Sequence, residues 1–507
     1  MTFQQLLDGA EILAQSGDPA VTAVEYDSRR VQPGAVFVAM RGESSDGNRF
    51  IDQAIKAGAV AVVTDSAAET PREGVAWAVV PHGRRALARL SANFYKRPAE
   101  RIAVTGITGT NGKSTTAFLM ESILTAARRK SALIGTIEYH VAGKVLPAPH
   151  TTPESLELNR ILNTALGQGA TEAVMEVSSH ALAQGRVFGV PFDVAVFTNL
   201  TRDHLDYHST MEEYFASKRA LFEGCGTDAP RAAVINLDDE YGAKLVPFSR
   251  KRSSVVLTYG WDQGDYHAEK VDVSPRGTRF DLVTPQEKIP VFSPLIGRVN
   301  VFNILAAAAA AYARGCQREA VAQGIGNLAF VPGRFQRVDC GQAFTVVVDY
   351  AHTDDALRNL TALAREFVGR NESKGRVLTV FGCGGDRDRA KRPLMGEAAG
   401  RLSDFVVLTS DNPRSEDPIS IINDALVGLQ KSGARYSVEP DRRKAIALAI
   451  GEARSGDIVL LAGKGHEKVQ VTREGSQPFD DVAVAREMLQ AAGYECASSQ
   501  AGAGAQR

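Results

Sequence analysis

Thr105-Gly106-Ile107-Thr108-Gly109-Thr110-Asn111-Gly112-Lys113-Ser114-Thr115 decides how the rest of this chain is read. It follows Arg101-Ile102-Ala103-Val104, a run of strand character, and leads into the helix-like Thr116-Ala117-Phe118-Leu119-Met120-Glu121. A glycine-rich turn between strand and helix exposes backbone N–H groups at the positive helix end, where a polyphosphate can sit. Gly109, Thr110, Asn111, Gly112, Lys113, Ser114 and Thr115 are therefore expected to hold ATP phosphates. Lys113 is placed to reach the terminal phosphates and the Ser114 hydroxyl to join a magnesium shell. Strict Walker spacing needs glycine at 107, and this chain has Ile107, so the loop is a variant. The alternative is a glycine turn that binds nothing.

A chain of 507 residues has room for about three domains. Hydrophobic content of 44% and charged content of 23% are those of an ordinary globular protein. A net charge of −1 supplies no basic field, so nucleic acid and anionic membrane are not expected as partners. The five cysteines, at 225, 316, 340, 383 and 496, are scattered and form no Cys-x-x-Cys. That suits free thiols in a reducing compartment better than disulfides or a zinc site. The first residues lack the basic and apolar stretches of a signal peptide, and Val301 to Ala313, interrupted by Asn303, is too short to span a bilayer. A cytoplasmic location is expected.

On either side of the loop the pattern is that of an α/β chain of three domains. Residues 1–98 carry short α/β units such as Ala57 to Val63, with loop chemistry at Asp27 to Gly34 before a strand at Val36 to Ala39. Residues 99–331 alternate strands and helices, as in a mostly parallel sheet covered on both faces. Residues 332–492 repeat that pattern in a Rossmann-like domain, with strands at Thr345, Val377, Phe405 and Ile458. The tail from 493, Ser/Gly/Ala/Gln-rich between Ala497 and Arg507, is expected to lack order.

Polar clusters follow the strands, and ligands collect beyond the carboxyl ends of such sheets. In the central segment these clusters are Glu176 to His180 and Thr198 to Asp206. In the last they are Asp349 to His352, Gly384 to Arg387, Asp411 to Arg414 and Gly463 to Glu467. Asn300 and Asn303, three apart on one helix face, offer donors and acceptors to a base such as adenine. Gly382-Cys383-Gly384-Gly385 lacks the dinucleotide spacing. Taken singly, Glu176, His204 and Lys218 read as solvated polar residues.

The Gly-Thr-Asn-Gly-Lys-Ser-Thr loop resembles that of the Mur ligases and the related folylpolyglutamate synthetases, and the resemblance runs from Ser28 to Glu467. It implies an ATP-dependent ligase of peptidoglycan synthesis that joins an amino acid to a carboxylate through an acyl phosphate. Implied catalytic residues are Lys113, Lys218, His204 and Glu176. Implied magnesium ligands are Ser114, Glu176, His204 and Lys218, the last as its carbamate. Asn300, Asn303, Arg334 and Asp349 complete the ATP site by resemblance. Tyr26, Ser28 and Glu43-Ser44-Ser45 are matched to contacts with a UDP moiety. Thr151, Thr152, Ser178, Gln184 and Arg186 are matched to the rest of UDP-N-acetylmuramoyl-L-alanyl-D-glutamate, with His150 a variable neighbour.

Asp411-Asn412-Pro413-Arg414 resembles the signature of family members that add meso-2,6-diaminopimelate rather than lysine. That amino acid carries a second carboxylate, which Arg414 and Arg387 can neutralise, while Glu467 and the Gly463 carbonyl can accept from the distal ammonium. A site built for both charges rejects an analogue lacking one. Asp354 stands where the family commonly has proline, just inside a helix, where an acid is favourable. The implied enzyme is expected to act as a monomer. Competing readings are a lysine-adding ligase, a folate ligase, which leaves Ser28 unexplained, and a nucleotide-gated binding protein without catalysis.

Overall fold

The computed structural model describes residues 1–42, 45–274, 276–370 and 375–496. Glu43 and Ser44, and Ala497 to Arg507, lie outside the described residues.

Among the described residues the first sheet runs Ala14–Ser16, Ala76–Val79, Ala61–Thr64, Ala35–Ala39, Ala23–Glu25. All neighbours are parallel except the edge strand Ala14–Ser16. Every residue of Ala35–Ala39 is buried, as expected for a central strand with both faces covered. The α/β unit at Ala57 to Val63 divides between a helix end and a strand. Ala57 closes the helix Ile51–Lys56, Gly58 turns with φ +104, and the strand begins at Ala61.

The second sheet orders Val255–Tyr259, Ala232–Asn236, Phe192–Phe197, Ala103–Thr108, Glu172–Glu176 and Ser131–Ile134 in parallel. An antiparallel hairpin, Glu138–Val141 and Lys144–Pro147, extends it. Strand residues alternate between two cores, as their period of two requires. Val194 and Val196 pack with the helices Lys113–Ala126 and Arg298–Ala313, while Ala195 and Phe197 pack with Met211–Glu223 and Glu240–Ser249. Ala306 to Ala311 are fully buried, so the second of these helices lies close against its neighbours. An antiparallel sheet of His267–Ser274, Gly277–Val283 and Lys288–Ser293 adds to the first core.

The opening motif is reapportioned by the structure. Its first half, Thr105 to Thr108, is strand rather than turn, because it pairs on both sides with parallel neighbours. The turn proper is Gly109 to Gly112.

The third sheet orders Gln336–Val338, Thr345–Asp349, Ile458–Ala462, Val377–Phe381, Phe405–Leu408 and Arg435–Val438, parallel beyond its first, antiparallel edge. Asp354 opens the helix Asp354–Arg370 in its acid-rich first turn. The hairpin Val469–Thr472 with Gly475–Pro478 follows the strand Ile458–Ala462.

One cysteine expectation is corrected. Cys340 and Cys496 are joined as a disulfide across a separation of 156 residues. Gly493 turns the chain after the helix Asp481–Ala491, and Tyr494 sets its ring edge-on against Phe344, which delivers Cys496 to the end of strand Gln336–Val338. Spacing along the sequence carries no trace of that approach. Cys225, Cys316 and Cys383 are free.

Candidate functional site

The loop Gly109 to Gly112 is held by the neighbouring strand end. Thr110 N donates to Asn199 O at 2.9 Å, Asn111 N to Asn199 Oδ1 at 2.9 Å, and Thr198 Oγ1 to Asn111 O at 2.7 Å. Gly112, at φ +87, has no room for a side chain because a Cβ would strike Asn303 Oδ1. Asn303 Nδ2 donates to Asn300 Oδ1 at 3.1 Å, and Asn300 Nδ2 to Ile296 O at 2.8 Å. The two asparagines thus stand together directly behind the loop.

Two lysines converge on one loop carbonyl. Lys113 Nζ donates to Gly109 O at 3.0 Å and Thr110 O at 2.9 Å, and Lys218 Nζ donates to Gly109 O at 2.8 Å. Lys218 is 1% exposed in its helix and lies 4.6 Å from the Tyr214 ring centre. Burial, then the Lys113 charge, push its ammonium well below the usual lysine range. Lys113 is lowered too, chiefly by burial. The sequence reading of Lys218 as a solvated helical lysine is therefore excluded.

Glu176, at the end of the strand beside the loop strand, is buried. Its carboxylate accepts from Thr136 N at 2.8 Å and Thr136 Oγ1 at 2.9 Å. His204 sits at φ +54 on the following loop, and burial holds its imidazole neutral far below the usual range. Ser114 Oγ accepts from Arg334 Nη2 at 3.2 Å, a contact between the central and C-terminal segments. Arg334 lies over the Tyr350 ring at 4.6 Å, and Asp349 accepts from Phe335 N at 2.7 Å and Ala351 N at 2.8 Å. Among the described residues no three His, Cys, Asp or Glu side chains form a metal-binding group. The donors present, a hydroxyl, a carboxylate and a neutral imidazole, nonetheless fit a hard cation shared with phosphate. Burial that disfavours the ammonium of Lys218 favours the free amine, the form of a lysine that adds carbon dioxide to become an anionic carbamate.

A second cluster joins the first two segments. Thr151 Oγ1 lies 3.1 Å from Thr136 Oγ1, whose own proton goes to Glu176, so the Thr151 hydroxyl is the donor of that pair. Thr152 Oγ1 donates to Glu176 O at 2.8 Å, and Ser178 N to Thr152 Oγ1 at 3.0 Å. Arg186 donates to Gln184 Oε1 at 3.0 Å and Thr152 O at 3.0 Å. Ser28 Oγ donates to Gln53 Oε1 at 3.2 Å, and Tyr26 Oη to Glu157 Oε2 at 3.2 Å. Gly42 N donates to Ser45 O at 2.8 Å. The sequence reading missed Glu154, which pairs with Arg186 at 3.1 Å and with Arg84 at 2.9 Å. Its only local signal was its place after Thr151-Thr152-Pro153.

The C-terminal strand ends meet in a cavity of about 180 Å³ lined by Arg387, Asp411, Asn412, Arg414, Gly463 and Glu467. Pro413, between the lining residues Asn412 and Arg414, is itself buried, and its carbonyl occupies the space a Cβ on Gly385 would need. Arg414, at φ +52, donates through Nη1 to Gly385 O at 2.6 Å, and Arg387 Nη1 donates to Asp386 O at 2.9 Å. Asp386 accepts from Ser415 Oγ at 2.7 Å and so clips the two arginine loops together. Asp203, His204 and Asp206 of the central segment line the same cavity.

Asp203, also missed, is 5% exposed, and its carboxylate lies 3.7 Å from both His352 Nε2 and Lys391 Nζ. Burial raises its pKa, but the His352 hydrogen bond and the His352 and Lys391 charges outweigh it and hold the carboxyl well below the usual range. A wider, open depression of about 450 Å³ near Asp8, Asn93 and Arg97 holds none of the expected residues.

Comparison with known proteins agrees along the chain. The pattern of the Mur ligase family catalytic domain matches residues 20–95, the Mur ligase middle domain 107–311, and the Mur ligase glutamate ligase domain 333–465. A UDP-N-acetylmuramoyl-L-alanyl-D-glutamate–2,6-diaminopimelate ligase of Solibacter usitatus is 56% identical over 475 residues, 94% of each chain. The like-named protein of Geobacillus thermodenitrificans is 46% identical over 93% of this chain and 95% of its own. A solved structure of a ligase of that name superposes with a TM-score of 0.67 at 36% identity, over 97% of this chain and 99% of the other. This chain belongs to the Mur ligase family.

Proposed function

We infer that the chain joins 2,6-diaminopimelate to UDP-N-acetylmuramoyl-L-alanyl-D-glutamate with ATP, in peptidoglycan synthesis. One observation carries the reading at the level of geometry. The cavity bearing Arg387, Arg414, Asp411 and Glu467 is also lined by His204, from the strand end that holds the phosphate loop. One cavity thus brings the charges for an amino acid together with a residue of the phosphate site.

In the proposed reaction the D-glutamate γ-carboxylate attacks the terminal phosphorus of ATP, ADP leaves, and an acyl phosphate forms. The free amine at one end of meso-diaminopimelate attacks that carbonyl. The tetrahedral intermediate expels phosphate, and an amide remains. Gly109 to Thr115 hold the phosphates through backbone N–H groups, and Lys113 stabilises charge on the transferred phosphoryl group. Asn300 and Asn303 face adenine, with Arg334 and Asp349 closing the nucleotide site. Thr151, Thr152, Ser178, Gln184 and Arg186 orient the glutamate carboxylate, while Tyr26, Ser28 and Ser45 receive the uridine nucleotide. Glu43 and Ser44 keep the role that the resemblance implies. Ser114, Glu176, His204 and carbamylated Lys218 would hold magnesium, which when bound supplies charge neutralisation on the phosphates. Docking of Arg334 on Ser114 supports a site assembled across the cleft and closed to water.

We also take residues 1–98, 99–331 and 332–492 as three domains, each with its own main sheet. No described helix is long and apolar enough to cross a membrane. A monomer in the cytoplasm is proposed, where ATP and the uridine nucleotide are soluble co-substrates. The test is phosphate release with the uridine-linked dipeptide and a panel of amino acids. Release that requires both co-substrates, with meso-diaminopimelate preferred, supports the assignment, and release without either one overturns it.

A further inference from the structure

Lys464 takes no part in the steps proposed for the reaction, yet it lies directly behind three residues that line the amino-acid pocket, Asp411, Asn412 and Glu467. It is fully buried, at 0% exposure. Gly463 and Gly465 flank it at φ +112 and +52, and a Cβ on Gly465 would lie 2.6 Å from Tyr350 Cβ. Glycine on both sides lets the loop after strand Ile458–Ala462 turn the lysine inward. Its Nζ donates to Glu467 Oε2 at 3.0 Å and Asn412 Oδ1 at 3.1 Å, and stands 3.5 Å from Asp411 Oδ1. That Asp411 oxygen is buried with no hydrogen-bond partner.

Asn412 relays the contact. Its Nδ2 donates to the same Glu467 Oε2 at 2.8 Å, and its Oδ1 also accepts from Val471 N at 3.0 Å. Gln470 Nε2 ties the hairpin to Asp411 O at 2.7 Å. One ammonium therefore fixes one oxygen of Glu467 and offsets two carboxylates that would otherwise repel each other in a confined space. A buried ion pair is a poor source of stability but a good source of fixed geometry.

We propose that Lys464 is the positioning residue of this pocket: it locks Glu467 and Asn412 in the pose that receives the distal ammonium of a zwitterionic diamino diacid, and so sets KM for that substrate. The proposal rests on the ligase reading, which wild-type turnover with meso-diaminopimelate tests separately. A double-mutant cycle tests the proposal, with Lys464→Met, Glu467→Gln and the pair measured for KM of each substrate. Each single change should raise KM for meso-diaminopimelate about tenfold or more, with KM for ATP and for the uridine nucleotide moving less than about twofold. The double variant should match Glu467→Gln alone, because Lys464 acts through Glu467. Additive losses, an unchanged KM in Lys464→Met, or a parallel rise in all three KM values would overturn the proposal. Should Lys464→Met fail to fold, Glu467→Gln is compared with the double variant, which removes both charges together: equal KM values support the proposal, and a further rise in the double variant overturns it.

Discussion

The phosphate loop and the amino-acid pocket solve recognition in opposite ways. The loop is contiguous, and its shape is set by backbone: glycines at 109 and 112, carbonyls facing lysines, and a helix start at Lys113. The pocket is assembled from strand ends scattered between Arg387 and Glu467, and its shape is set by charged side chains that hold one another. Backbone recognition suits phosphate, which every member of an ATP-using family shares. Side-chain recognition suits the amino acid, which distinguishes one branch from another, because a single charge decides what is rejected.

The largest effect is expected where the loop depends on a side chain after all. Lys113→Ala should lower ligation by on the order of 10³-fold or more while leaving uridine-nucleotide binding intact. Ser28 and Tyr26 lie in a separate sheet region, away from the loop. Substantial ligation by the folded variant would mean that backbone alone suffices. Lys218→Ala should cost on the order of 10²-fold or more, with partial recovery on adding a short carboxylic acid that fills the vacated space. Full activity without added acid would remove Lys218 from the site.

Arg414→Ala sharpens the contrast from the other side. It should lower kcat/KM for meso-diaminopimelate by about 10²-fold, with ATP affinity preserved. The half-buried setting of Arg414 argues for the lower part of the range for a lost charged partner. An unchanged preference between diaminopimelate and lysine would reduce Asp411 to Arg414 to a surface turn.

The smallest effect tests the scaffold under the loop. His140 bridges Glu121 of the loop helix at 2.7 Å and Glu138 at 2.9 Å. Burial opposes its protonation, but the two carboxylates outweigh it and raise its pKa from 6.5 to about 9. A raised folded pKa contributes stability that is fully present below about pH 6.5 and lost as pH rises through about 9. After allowance for partial exposure, the loss should be about 1–2 kcal/mol in urea unfolding between pH 6 and 9.5. His140→Gln should flatten that dependence, and an unaltered slope would show that the bridge adds nothing to the scaffold.

The same contrast explains what was legible in the sequence. Gly109 to Thr115 announce themselves because backbone geometry requires particular residues in order. The parallel sheets were legible from apolar runs, and the four C-terminal strand ends from the polar groups after them. Residues that act through distant partners were not. Glu154 reaches Arg84 across 70 residues, Asp203 meets His352 and Lys391 of the C-terminal segment, and Cys340 finds Cys496. Lys464 stood inside a quoted motif without a role, since its meaning lies in an inward turn that only the two glycine dihedrals reveal.

The most direct measurement is the mass of the product formed from ATP, UDP-N-acetylmuramoyl-L-alanyl-D-glutamate and an equimolar mixture of meso-diaminopimelate and lysine. The proposed reaction yields a uridine-linked tripeptide that has gained diaminopimelate less one water, with one phosphate released per product. A lysine adduct as the main product, or phosphate released with the dipeptide unchanged, would contradict it.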